Sequence, residues 1–436
     1  MRKHTSKPLY KDEPGVWDLG GGTNECDAPS EISVRDCLVC ENWRVHPDGK
    51  SKVKRGGYTK FDSGYTPTGK VIRQVVTFKD GNGIERTIVI TENSVVSRKD
   101  VYGYTLKFQD TDEAYRTHNT IALYQGKLVI ADKAIAANTM RALQSTDGEA
   151  WAQAFSYVGQ SSGELSGLSL MEFNNKLFMT LYAADYVSPR VIAWNGVSVE
   201  EHLTAPSQYC YGAFGFQVWD GRLWVITAWS PSEYQCEAIV HHYNGLNWSP
   251  IINYDGSTFV SYNTPPYKPN DNIAHRLSKL FVFNNELYLF ASVYNPAKTK
   301  WRWKVLKFNA ATYDRFTTIY DSASLEDDYV FSGVVELGQK IYVVGNKLQA
   351  NGTADKPAKL YVSEDMVTWT SLGEFATLGF VFGEAIFDGR FYVSTVQVYT
   401  GNEFGISYYD KINKTFVLEQ NISAESNVVG GDLLAA

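Results

Sequence analysis

The stretch Ile121–Lys133, IALYQGKLVIADK, decides the fold: an apolar run, the pair Gln125-Gly126, a basic residue, and a second apolar run. Gln-Gly, Asn-Asn and Asp-Gly pairs tolerate the positive φ angles that two-residue hairpin turns require, and period-2 flanks supply the two strands. The stretch therefore reads as a β-hairpin.

The same phrase returns along the chain. It appears as Leu170–Tyr182 (LMEFNNKLFMTLY), Gln217–Trp229 (QVWDGRLWVITAW), Phe281–Tyr294 (FVFNNELYLFASVY), Val334–Lys347 (VVELGQKIYVVGNK) and Glu384–Val398 (EAIFDGRFYVSTVQV). A weaker copy, Val75–Glu92, turns near Gly81. Measured from Gly81 through Gly126, Asn175, Gly221, Asn285 and Gln339 to Gly389, successive turns lie 45, 49, 46, 64, 54 and 50 residues apart. Four-stranded propeller blades repeat at about 40 to 50 residues.

Two further strands follow each hairpin. TMRALQS precedes WAQAFSYV, PRVIAWNG precedes VSVEEHL, EAIVHHYNG precedes NWSPIINY, KWRWKVLKF precedes DRFTTIY, AKLYVSED precedes TWTSLGEF, and FGISYYD precedes TFVLEQN. The fold expected is all-β, a seven-bladed β-propeller of four-stranded blades over 67–436, preceded by an extended N-terminal arm over 1–66. Horseshoe and α-solenoids require a helix in each repeat, which is missing here, and the turns are too long for a short-period β-helix. The long fifth interval carries SYNTPPYKPNDNIAHRL, residues 261–277, whose Pro and Asn content marks an inserted surface loop.

Composition agrees. Aromatics make 14% of the 436 residues, with 28 Tyr, 22 Phe and 11 Trp, the residue types that fit a half-buried pleated surface. Hydrophobic residues at 44% exclude a disordered chain, and five cysteines exclude a disulfide-stapled miniature. An odd number cannot all pair within one chain, so Cys210 and Cys236 read as small buried hydrophobes. No window approaches the ~18 uninterrupted apolar residues of a membrane helix, and the opening MRKHTSKPLYKDEPG has no signal-peptide core, so synthesis in a cytoplasm without membrane insertion is expected. A formal charge of −7 argues against broad wrapping of nucleic-acid phosphates.

Two outer turns resemble the Asp-box of sialidase-like propellers: Ser145, Asp147, Gly148 and Trp151 in STDGEAW, and Ser363, Asp365 and Trp369 in SEDMVTW. The Asp side chain can accept from turn amides while the Trp packs beneath, so the motif staples the fold and implies no catalysis. A sialidase would also need an arginine cluster, a Tyr nucleophile and an Asp acid. That family's Arg-Ile-Pro type motif is replaced here by VIRQVVTF.

The N-terminal 66 residues differ in character, with Gly20 to Gly22, scattered prolines and no helical periodicity. Within them Asn24, Ala28, Pro29, then Asn42, Arg44, Pro47, Asp48, Gly49, then Lys54, Arg55, Gly56, Gly57 and Tyr58 form a pattern that resembles the opening of tailed-bacteriophage virion proteins whose blades follow, of the tail nozzle (tubular) and head-to-tail hub types. The resemblance covers about 35 residues of the chain. It implies a structural component of the virion tail, assembled with copies of itself in a symmetric ring and with other tail or connector proteins, around or beside a conduit through which viral DNA passes. Asn24, Pro29, Asn42, Arg44, Lys52, Lys54 and Arg55 are then the expected contacts to neighbouring subunits. The resemblance carries no active site, so no enzymatic activity and no cofactor are expected.

Other motifs have simpler explanations. Cys26, Cys37, Cys40 and His46 contain a C-x-x-C knuckle, but VRDCLVCENWRV reads as a strand, which sends Cys37 and Cys40 to opposite faces, so zinc is not expected. His241 and His242 are adjacent on a strand and separate for the same reason. Gly20 to Gly22 lacks the Lys-Ser/Thr ending and the helix of a phosphate loop. A basic stretch at Lys50, Lys52, Lys54 and Arg55 reads as a docking surface for acidic neighbours. A second, Lys298, Lys300, Arg302, Lys304 and Lys307, alternates with Trp301 and Trp303 and reads as a solvated face with tryptophans packed behind it.

The main alternative function is a glycan-recognising propeller, a receptor binder or a divergent sialidase-like glycosidase, in which Trp219, Trp224, Trp229 and Trp248 stack on sugar rings. A kelch-type scaffold is a third reading. Its paired glycines followed by spaced Tyr and Trp are not met in successive units.

Overall fold

The computed structural model describes residues 43–45 and 52–54 and, between 72 and 423, all residues except 80–84, 92–93, 99–104, 110–116, 134–137, 161–164, 184–188, 204–209, 233–234, 255–259, 262–277, 296–299, 323–328, 349–353, 375–379, 388–389, 397–402 and 411–414. The chain divides into two units, Met1–Thr66 and Pro67–Ala436. In the first, the described residues form a short antiparallel pair, Trp43–Val45 with Lys52–Lys54, in which Arg44 faces Val53. The remaining contact residues expected there, Asn24, Pro29, Asn42 and Arg55, lie outside the described residues, as do Cys26, Cys37, Cys40 and His46.

The second unit is all-β, built from antiparallel meanders of four strands. Separate four-stranded sheets cover 72–109, 278–321, 329–374 and 380–423. One larger sheet of thirteen strands resolves into three further four-stranded meanders, 117–158, 165–201 and 210–250, with Val260–Ser261 as a short extra edge. These three are joined by single residue pairs, Lys133 with Ser166 and Tyr182 with Gly212. In chain order the meanders are called first to seventh below.

Turn chemistry explains the hairpins. Gln125-Gly126, Asn174-Asn175, Asp220-Gly221, Asn284-Asn285 and Gly338-Gln339 all have positive φ at both central positions, between 48° and 74°. That is the type I′ geometry whose twist matches the strands it joins. The turns at Gly81 and Gly389 lie outside the described residues, though the strands flanking each are paired.

Successive meanders stack face to face. Six apolar cores lie between neighbours, each drawing residues mainly from two consecutive meanders. Ile88 and Ile90 meet Ile121 and Ile130; Val129 and Tyr157 meet Leu165 and Met179; Phe178 and Ala193 meet Val225 and Tyr243. Further along, Trp224 and Val240 meet Leu289 and Phe308, Phe290 and Trp303 meet Phe331 and Tyr361, and Val344 and Leu360 meet Phe391 and Tyr409. Alternation of side chains along each strand makes this possible, because one sheet then offers an apolar surface on each face. The first strand of each meander also touches the first strand of the next.

The fourth and fifth meanders have an additional tie. Beyond Trp248–Pro250 the chain runs beside the outer strand Phe316–Asp321, where Phe316 N donates to the Asn253 carbonyl at 2.9 Å and the rings of Tyr254 and Phe316 stack within 1° of parallel. In an antiparallel meander the first and third turns share one end. The tight turns of the hairpins and of the strand 3 to 4 connections therefore face one way, and the connections between meanders leave from the other.

Candidate functional site

Polar and aromatic groups converge at the tight-turn end of the fourth and fifth meanders. Trp224 and His242 are directly opposite each other across the strand pair Arg222–Ser232 and Gln235–Tyr243, so they share a face, with ring centres 4.9 Å apart. Phe308 of the fifth meander packs edge-on against Trp224 at 4.9 Å and against Trp219 at 5.7 Å. Tyr313 completes the cluster from the Asn309–Asp314 turn, its ring stacked on Trp219 with an interplanar angle of 19°. Its φ of 58° is unusual for so large a side chain, and the packing of the ring maintains it.

Arg222 is fixed within this cluster. Its guanidinium carbon lies 4.0 Å from the centre of the Tyr313 ring, and Nη1 donates to His242 Nδ1 at 3.1 Å. The imidazole must accept at Nδ1, so it is neutral with its proton on Nε2. Burial, reinforced by the Arg222 charge, holds the His242 pKa down at about 4. Burial also pushes the Tyr313 phenol up to about 12.

Beside this cluster is a cleft of about 570 Å³, between the Asn284-Asn285 turn and Asn309-Ala310. Lys307 and Thr317 are cross-strand partners and share one face. Lys307 Nζ lies 2.6 Å from Glu286 Oε1, while Tyr288 Oη donates to Glu286 Oε2 at 2.7 Å. The Lys307 and Tyr288 hydrogen bonds hold the Glu286 carboxyl below its ordinary pKa. The Glu286 carboxyl is therefore ionised at neutral pH and offsets the charge of Lys307 beside it.

A second histidine sits at the preceding junction. Trp248 Nε1 donates to His202 Nδ1 at 3.3 Å, and His202 Nε2 is 3.6 Å from Glu200, which also pairs with Lys176 at 2.6 Å and accepts from Asn195 Nδ2 at 3.3 Å. Burial lowers the His202 pKa against the opposing pull of Glu200.

Most residues singled out in the sequence have packing roles. Trp224 is fully buried and Trp219 is 8% exposed, both in the core between the fourth and fifth meanders. Trp248 packs on His202 and Tyr243, and the Trp229 side chain is outside the described set. Trp219 and Trp224 are thus taken up in packing between meanders, and Trp248 is half-buried. On the basic strand Lys300–Phe308, Trp303 is fully buried, Arg302 and Lys304 both approach Asp321 at 3.3 and 3.6 Å, and Lys307 pairs with Glu286. Lys298 and the side chains of Lys300, Trp301, Cys210 and Cys236 fall outside the described set.

His241 and His242 take opposite faces, His241 Nδ1 lying 3.3 Å from Thr227 Oγ1. Both Asp-box turns form as their residues require. Asp147 Oδ1 accepts from Glu149 and Ala150 amides at 2.8 and 3.0 Å, and Asp365 Oδ1 from Val367 and Thr368 at 2.9 and 2.7 Å. Trp151 Nε1 donates to the Gly148 carbonyl and Trp369 Nε1 to that of Met366.

The equivalent turns of the third, fourth and fifth meanders are clamped in the same way by asparagine. Asn195 accepts from Val197 and Ser198, Asn244 from Leu246 and Asn247, and Asn309 from Ala311 and Thr312. Sequence reading passed over them. Their signal is an Asn directly after an aromatic at the end of the third strand, in Trp194-Asn195, Tyr243-Asn244 and Phe308-Asn309. Tyr313 and the Glu286–Lys307 pair had no comparable signal.

No protein-family model matches the sequence, and no curated protein is significantly similar to it. Among solved structures, a virginiamycin B lyase from Staphylococcus aureus is 9% identical with a TM-score of 0.42, the match covering 76% of this chain and 94% of that one. The β-propeller domain of the Trilobed protease from Pyrococcus furiosus is 6% identical with a TM-score of 0.43, over 80% and 98%. A prolyl endopeptidase is 10% identical with a TM-score of 0.48, over 80% of this chain and 50% of that one. Similarity at this level transfers no activity to the present chain.

Proposed function

We propose that the second unit closes as a seven-bladed β-propeller and that the chain is a non-enzymatic component of a tailed-phage virion, part of a nozzle or hub ring around or beside the DNA conduit. The observation that carries the mechanical part is the series of six apolar cores between consecutive meanders. Among the described residues each sheet packs on its neighbours, so the body resists bending while its loops remain free to vary. A stiff spacer of this kind suits a load-bearing ring.

The virion role itself rests on the pattern running from Asn24 to Tyr58. In this reading residues 1–66 dock on neighbouring copies and on adjacent tail or connector proteins, with Arg44, Lys52, Lys54 and Arg55 meeting acidic surface. Rings formed by such head-to-tail contacts are symmetric. The chemistry in view at the fourth and fifth meanders agrees with a structural role, because Glu286, Asp321 and their cationic neighbours are engaged with one another.

Deleting residues 1–66 tests the proposal. The remaining chain is expected to stay folded, by circular dichroism and thermal melting, and to disappear from assembled particles in cross-linking mass spectrometry. Normal incorporation of the truncated chain, or absence of the full chain from purified virions, overturns it.

A further inference from the structure

We propose that the cleft at the fifth meander is a binding site for a neutral saccharide. This is independent of the virion reading, and of the tryptophans discussed above it uses Trp219 alone, as a side wall and as the anchor of the turn. Three features of the cleft select the ligand: its charge balance, its unspent hydrogen-bonding groups and its floor.

Charge comes first. Lys307 is the cation of the cleft, and Glu286 lies 2.6 Å from it, so an incoming phosphate or carboxylate would meet the carboxylate together with the ammonium. An organic cation meets the converse difficulty. A ligand without net charge avoids both.

Hydrogen-bonding capacity then excludes a purely apolar ligand. Among the described residues, no partner engages the carboxamides of Asn284 and Asn285 or the hydroxyl of Thr317, and all three residues are exposed. Lys307 retains two N–H groups beyond the one directed at Glu286. Each carboxamide offers two donors and an acceptor, which a row of hydroxyl groups can satisfy in both senses. The backbone supports the placement, since φ values of 48° and 59° at Asn284 and Asn285 fix the turn, and Trp219 Nε1 anchors it by donating to the Asn285 carbonyl.

The floor is apolar. Ile319 and Trp219 supply apolar surface, with Leu287 and Phe308 buried beneath it. A pyranose ring has a C–H face to lay on such a floor and hydroxyls around its edge for the rim. The cleft lies between the Asn284-Asn285 turn and the strand residues Lys307, Thr317 and Ile319. Its volume of about 570 Å³ falls in the range of roughly 300–1,000 Å³ common to small-molecule sites.

The experiment is saturation-transfer NMR on the full chain with methyl glycosides of glucose, galactose, mannose and N-acetylglucosamine, and with N-acetylneuraminic acid as a charged comparison. Transfer to ring protons of at least one neutral glycoside is expected. Asn285→Gly, which suits the positive φ, and Thr317→Val are surface changes, and each should weaken that glycoside by about fivefold, as the loss of one hydrogen bond implies. Thermal melting of both variants confirms that the fold is kept. Transfer to none of the neutral sugars, to the charged sugar alone, or undiminished transfer in the double variant with its melting unchanged would each overturn the proposal.

Discussion

Trp219 donates its indole N–H to the main-chain carbonyl of Asn285 across the junction of two meanders, at 3.0 Å. Tyr124 makes the equivalent bond two junctions earlier, its hydroxyl donating to the Asn175 carbonyl at 2.8 Å. Both donors stand immediately before a hairpin turn, and both acceptors are the second residue of the following meander's turn. Each bond ties the outer end of one sheet to the next where the apolar core gives out.

Tyr124→Phe removes one donor and little volume, so it is expected to lower stability by about 1 kcal/mol. Trp219→Phe loses the donor and also leaves a gap beside Phe308, and about 2–4 kcal/mol is expected. Urea melts of the two variants against wild type check the ordering.

The clamped turns predict a chemical equivalence. Asp365 accepts from two turn amides, and Asn195, Asn244 and Asn309 do the same with a neutral carboxamide. Asp365→Asn should therefore stay within about 0.5 kcal/mol of wild type, while Asp365→Ala should cost about 1–2 kcal/mol. Equal losses in the two variants would show that charge rather than acceptor geometry holds the turn.

Gly167 marks a close approach between the second and third meanders. A Cβ at this position would lie 2.8 Å from Ala131 Cβ and 2.9 Å from Met179 Sδ. Gly167→Ala is expected to destabilise by about 1–3 kcal/mol through overpacking, measured as a lower melting temperature. Gly167→Ala combined with Met179→Leu tests which contact dominates.

Acid should weaken the fold in a defined window. Burial keeps His241 and His242 neutral in the folded state, with pKa values near 4 against 6.5 in the unfolded chain. As pH falls from about 6.5 toward 4 the unfolded chain takes up protons that the folded state refuses, so stability declines, at most by about 3 kcal/mol for each histidine. His242→Gln keeps an acceptor for Arg222 without the titration, and the slope of unfolding free energy against pH in this window should fall, the remainder coming from His241 and His202.

The strand content and turn chemistry were legible because their causes are local. Alternating apolar residues around Gln125-Gly126 or Asn284-Asn285 leave a short chain few other ways to satisfy its backbone, and Ser363, Asp365 and Trp369 close a turn within seven residues of sequence. Sequence spacing also separated His241 from His242. The tryptophans were harder to place. Trp224 and Trp248 carry the same chemistry, yet one is fully buried against Phe308 and the other half-buried beside His202.

By itself, then, the sequence determined an all-β chain of repeated hairpins, because period-2 patterning and positive-φ turn residues act over a few positions. Which side chains meet was decided by tertiary structure alone. Arg222, His242 and Tyr313 are brought together by two different meanders, and Trp219 lines the cleft beside Lys307 from across the junction with the Asn285 turn. Such contacts depend on how one sheet stacks on another, and no local pattern encodes the offset between them.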